Sequence, residues 1–235
     1  MKPNLSAIRF AVLACALGAA PTVPAQTAWL WPSGGQWADA ANWSAGVPNL
    51  NLAVAITNAG NKTVTISAST PEANLAARRL DLYAPAGSTN TLRLEQLGLA
   101  IFQLTNSLVL DAGGRMELIN STLRLDGGAG GNFNQFAGAL SLTGGTLFTT
   151  NGAGLRIGRV GRASADVSSG TLATSGDAVV GGLAGSDGTL VLNSGLFQAD
   201  GQLTVGDDPG AVGHIQVIGG TFIVTNSALT ARVGD

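Results

Sequence analysis

The chain has 235 residues, of which 45% are hydrophobic and 11% charged, and its formal net charge is −2. With no basic face it is not built to hold nucleic acid, and with so few charges it is not a disordered acidic tail. One cysteine and one histidine exclude a disulfide framework and a two-histidine metal site.

Residues 1–25 read as a secretory signal peptide. Lys2 and Arg9 give a basic start, residues 10–20 an apolar run, and Val23-Pro24-Ala25 a cleavage site that leaves Gln26 first. Cys15 falls inside this segment. Val12-Leu13-Ala14-Cys15 loosely resembles a bacterial lipobox, in which Cys15 would become a lipidated N-terminus, but plain cleavage after Ala25 is the preferred reading. What remains has 10 basic and 14 acidic residues, a charge of −4, with Lys62 as its one lysine. No apolar run reaches the ~20 residues that cross a bilayer, so the mature chain is expected to have no membrane span. Its expected location is secreted or at the cell surface.

Residues 26–50 hold all four tryptophans, Trp29, Trp31, Trp37 and Trp43. Large indoles at the start of a repeat stack predict a cap over its apolar cross-section. The competing reading is a sugar-stacking platform. Residues 51–98 carry strand-like runs at 53–57, 63–67, 80–83 and 91–94 with turn signals between them, and are expected to form irregular first coils. Residues 73–79 could instead form one helical turn.

From about residue 99 the chain is periodic. Gly145, Gly170, Gly195 and Gly220 stand 25 residues apart, and so do Leu140, Ala165, Leu190 and Ile215, and Leu142, Val167, Leu192 and Val217. Each repeat thus carries an apolar pair at i and i+2, the mark of one strand face. Met116 and Leu118 lie 24 residues before Leu140 and Leu142, as Leu123 does before Leu147. Three short strands fit each unit, for example 196–199, 202–205 and 214–218, preceded by 171–174, 178–180 and 189–192. Loops of eight residues span 181–188 and 206–213. Twenty-five residues are too few for a four-stranded propeller blade. The fold class predicted is all-β, a right-handed parallel β-helix (β-solenoid) with about 25-residue, three-strand coils over residues 99–235 and a Trp-rich N-terminal cap. The last repeat opens at Gly220 and the chain stops at Asp235, so the final coil is expected to be truncated and uncapped.

The opening from Trp31 to Pro48, with Trp37, Asp39, Asn42, Trp43 and Gly46, together with Gly145-Thr146-Leu147, Gly170-Thr171-Leu172 and Gly220-Thr221-Phe222, resembles bacterial secreted β-helical proteins of the autotransporter-associated β-strand repeat and PEP-CTERM kind. That resemblance implies an extracellular or surface-attached solenoid. It carries no catalytic residue to this chain.

Several residues invite promotion to a site. Asp207 and Asp208, with Asp187 one coil earlier, could share a Ca²⁺, but solvated turn residues are the preferred reading. Arg156, Arg159 and Arg162 form a small basic cluster that could bind an acidic glycan, against the plainer reading of a solvated edge. His214 is expected to face outward or cap its loop. A threonine column at 146, 171 and 221 is broken by Leu196, which speaks against an ice-binding array. The sequon-like Asn42, Asn61 and Asn120 matter only in a glycosylating pathway. No nucleophile elbow occurs, and loops of eight residues or fewer are expected to build no deep cleft.

No catalytic, cofactor-binding or metal residue is therefore assigned. The chain is expected to be a non-catalytic extracellular or cell-surface scaffold, adhesin-like or passenger-like. The alternative is a carbohydrate-binding or carbohydrate-active, polysaccharide lyase-like β-helix. Expected partners are surface glycans, other cell-surface proteins, or a neighbour meeting the uncapped C-terminal coil end to end.

Overall fold

The computed structural model describes residues 25–127 and 134–226, and the backbone of 232–233. The expected signal peptide, Cys15 included, lies outside these residues except for Ala25, and so do 227–231 and 234–235. Over the described part the chain winds through about eight turns of a β-solenoid. Every strand pairing is parallel and joins a strand to its equivalent one turn away.

Three faces run the length of the stack. The first begins each coil, at Gln26–Ala28, Ala53–Ile56, 79–82, 107–110, Asn134–Phe136, Leu155–Ile157, Ala178–Val180 and Leu203–Val205 for coils 1 to 8. The second face holds Lys62–Ser67, Asn90–Glu95, Gly114–Ile119 and Asp187–Leu192 among others. The third holds Thr122–Asp126, Leu196–Ala199 and Thr221–Val224. Ala139–Thr150 and Arg162–Thr174 pass round a corner and serve the second and third faces in turn.

The apolar columns stack in the register that the 25-residue period dictates. Leu140 pairs with Ala165, Ala165 with Leu190, and Leu190 with Ile215. The 24-residue step is also a true pairing, Met116 with Leu140 and Leu123 with Leu147. Alternation sends these side chains inward, where Leu140, Ala165 and Leu190 are buried and Ile215 is partly so. Parallel pairing also runs back through residues 51–98 to Gln26, so the tryptophan-rich segment contains the first coil itself.

Residues 73–79 do not form a helical turn. A 3₁₀ turn occupies Glu72–Asn74, and Ala76–Leu82 is a strand that bends between the third and first faces at an irregularity near Arg78. Two small residues followed by two arginines mask this strand, because the bend places Arg78 and Arg79 outward in succession and breaks the alternation. The two long loops are also shorter than expected. Strands open at Asp187 and Val212, leaving 181–186 and 206–211 between faces.

The glycine column marks the corner between second and third faces. At Gly195 φ is +92°, and a Cβ there would land on the carbonyl oxygen of Gly170 directly beneath. Only glycine fits where backbones approach this closely in a left-handed conformation.

Trp37 is fully buried, and Trp29 and Trp43 nearly so, in edge-to-face contacts of 5.1 Å between Trp29 and Trp43 and 5.0 Å between Trp37 and Trp43. They fill the interior of the first coil, where Trp37 also meets Phe102 at 5.3 Å. Their indole N–H groups donate to the carbonyls of Ser33, Asn74 and Trp37. Trp31 alone is half exposed.

Lys62 is buried at the corner between first and second faces of coil 2, and burial lowers its pKa. Its ammonium donates to the carbonyls of Asn58, Ala59 and Gly60 and to Asn90 Oδ1, the shortest contact being 2.6 Å. Asn90 in turn donates to the carbonyls of Ile56, Asn58 and Tyr83. Lys62 thus ties a corner together.

Asp126 closes the third face of coil 4. Burial works to raise its pKa, but hydrogen bonds from Thr150, Gln103 and Arg124, and the Arg124 charge, hold it below the ordinary 3.8. A depressed carboxyl pKa contributes stability that is complete above about pH 4 and is lost as pH falls through the lowered value. Asp126→Asn is expected to show a shallower decline in melting temperature below pH 4 than the parent, measured across a pH series. Parallel declines would remove this role.

Candidate functional site

The corner between the first and second faces varies in length from coil to coil. Ten positions separate Leu82 from Leu92, and Val180 from Leu190, while six separate Leu110 from Met116 and only four Phe136 from Leu140. All are inward-pointing residues at matched heights in the columns. Coil 5 therefore takes the shortest route, and its corner is recessed between those of its neighbours.

The recess is a groove. Its wider part, about 830 Å³, has Ala137, Gly138 and Ala139 as its floor, 111–115 as one wall and 160–164 as the other. A narrower part of about 200 Å³ continues over the first face past Gln135, Val109 and Arg159, and shares Asp111, Ala137 and Val160 with the first. The floor stays low because a Cβ at Gly138 would strike the carbonyl oxygen of Gly114. Short loops thus still leave an open groove, whose relief comes from the difference between adjacent corners and not from long loops.

Three arginines border this groove. Arg115 pairs with Glu117 at 2.8 Å, with its own side chain half exposed. Arg162 reaches Asp187 at 3.2 Å, with its side chain 90% exposed. Arg159 donates from Nη1 to Gln135 Oε1 at 3.3 Å, while its Nε is buried with no hydrogen-bond partner. Arg156 stands on the first face beside Gln135 in the ladder. Its pKa is lowered by burial and then by the Arg159 charge, with Asp207 and Asp177 opposing. The basic cluster anticipated from the sequence is thus real in space, but it is divided: Arg159 and Arg162 border the groove and Arg156 is drawn into charges behind it.

The remaining candidates separate. Asp187 is engaged by Arg162, and Asp207 and Asp208 are exposed on a loop whose backbone hydrogen-bonds to Gly181 and Gly182. Among the described residues no three His, Cys, Asp or Glu side chains gather to hold a metal ion. His214 is exposed on the second face, paired with Thr189. Thr146, Thr171, Leu196 and Thr221 do form one column, with Leu196 interrupting it. The three buried tryptophans have no face free for a sugar.

Sequence reading passed over Asp111, Arg115 and the Ala137-Gly138-Ala139 floor. Their signal lay in the four-residue step from Phe136 to Leu140, a spacing that has meaning only against the six-residue step from Leu110 to Met116 and the eight-residue step from Ile157 to Ala165 in the coils on either side. Among the described residues no helix is long and apolar enough to cross a membrane. No protein-family model matches the chain, and neither curated proteins nor solved structures offer a significant match.

Proposed function

We propose that this chain is an exported, non-catalytic scaffold of the cell surface or its surroundings, adhesin-like or passenger-like, presenting the groove on its flank to a ligand. The observation that carries this reading is the uninterrupted parallel ladder from Gln26 to Val224, whose inward columns are buried from coil to coil. A stack of this kind holds its outer surface at a fixed geometry over its whole length, which suits display and adhesion. Export rests on the Lys2–Ala25 pattern, and N-terminal sequencing of material released by a bacterial host is the direct check, with Gln26 the expected first residue.

The groove supports a second reading, a carbohydrate-active enzyme on the same frame. Incubation of the whole chain with polygalacturonate, alginate and xylan separates the two. The scaffold reading expects no new reducing ends and no unsaturated product absorbing in the ultraviolet. Turnover that a single change at Asp111, Arg115 or Arg159 abolishes would end it.

A further inference from the structure

We propose that the groove over coil 5 binds one strand of a uronate-containing polysaccharide, with Arg159 and Arg162 taking successive carboxylates; this deepens the scaffold reading by naming the ligand class. The shape is the first argument. The two walls belong to coils 4 and 6, so they stand two ladder steps apart, roughly 10 Å, which suits a single extended strand. The recess continues from the second face round the corner onto the first, as a polymer requires and a small molecule does not.

Charge and chemistry narrow the strand. Arg115, Arg159 and Arg162 offer planar guanidinium forks, which match carboxylates in paired hydrogen bonds. The Arg162–Asp187 pair is exposed, and such pairs contribute little, so a ligand carboxylate can take the fork at small cost. Arg159 borders the narrower recess, and its Nη1 bond to Gln135 Oε1 is long at 3.3 Å, so a ligand carboxylate can compete for that fork. Asp111 and Asp187 sit among the arginines and oppose a ligand with a charge at every unit and no hydroxyls, such as a polyphosphate backbone. They suit instead a strand whose hydroxyls donate to them between its carboxylates, with Thr89, Ser164 and Thr189 as further hydroxyl partners. No Trp or Tyr side chain lines the groove, so the stacking platform that holds neutral sugars is missing from it. An added peptide strand is disfavoured as well, since the strands bordering the groove are already paired on both sides.

Calorimetric titration of the whole chain tests this, using hexagalacturonate, hexamannuronate, the methyl ester of hexagalacturonate, and xylohexaose. At least one acidic hexamer is expected to bind, at least ~10-fold more tightly than the ester or xylohexaose, with affinity falling as salt is raised. Arg162→Gln and Arg159→Gln are each expected to weaken that binding about 10-fold, whereas Arg78→Gln, exposed on another corner, leaves it unchanged. Because Arg162 is exposed, its variant is expected to melt with the parent, so a loss there is not a loss of fold. No binding by either acid, equal binding of acid and ester, or full affinity in Arg162→Gln each overturns the proposal. Turnover of an acidic hexamer would instead end the scaffold reading and leave the ligand class standing.

Discussion

Trp37→Ala is expected to destabilise the chain by about 3–5 kcal/mol and to release the first coils before the rest. The indole is fully buried, meets Trp43 at 5.0 Å and Phe102 at 5.3 Å, and donates to the Asn74 carbonyl at 2.9 Å. Truncation removes all three interactions at once and leaves Asn74 O unpaired. Edge-to-face aromatic pairs add ~0.5–1.5 kcal/mol to simple burial, so the loss sits toward the upper end of ordinary large-to-small substitutions. The consequence is local because each coil in such an array rests chiefly on its neighbours. Hydrogen exchange should show lost protection in Ala53–Ile56 and Lys62–Ser67 while Asp187–Leu192 keeps its own. Trp31→Ala provides the control. That indole is half exposed and its one hydrogen bond, to Ala41 O at 3.2 Å, lies at the surface, so a change within about 0.5 kcal/mol is expected. Uniform loss of protection along the stack, or equal effects of the two changes, would deny Trp37 its place as the anchor of the first coil.

Why was the stack legible in the sequence when its groove was not? A side chain that points inward at one height in every coil is held to the same chemistry each time, so Leu140, Ala165, Leu190 and Ile215 declare themselves at 25-residue intervals. The shift to 24 residues at Met116 survives because the whole coil shifts together. The groove obeys no such repetition. It exists because coil 5 spends two residues, Ala137 and Gly138, where coil 7 spends six, and neither count is informative by itself. Lys62 was opaque for a related reason. Its partners are three backbone carbonyls and one amide, a set that leaves no trace in residue type. The tryptophans were readable as a cap because four indoles gathered at one end of a repeat have few other uses, although their role inside the first coil, not above it, required the pairing of Gln26–Ala28 with Ala53–Ile56.

Gly195→Ala carries the second large effect, an expected loss of about 3–5 kcal/mol from the addition of one methyl group. Two costs combine at this position. The residue lies at φ +92°, where an L side chain is strained by roughly 1–3 kcal/mol. The added Cβ also meets the Gly170 carbonyl oxygen, a backbone atom that cannot turn aside as a side chain would. Relief requires lifting one coil from the next, and Gly220 sits on Gly195 as Gly195 sits on Gly170, so the displacement is passed upward. Gly185→Ala separates the two costs. It shares the left-handed conformation, at φ +78°, but a Cβ there has nothing within 4 Å. That variant should lose only about 1–2 kcal/mol, the conformational part. Denaturant melts of both variants decide the matter: a Gly195→Ala loss no larger than that of Gly185→Ala would mean that the corners do not stack backbone on backbone, and the 25-residue glycine interval would need another cause.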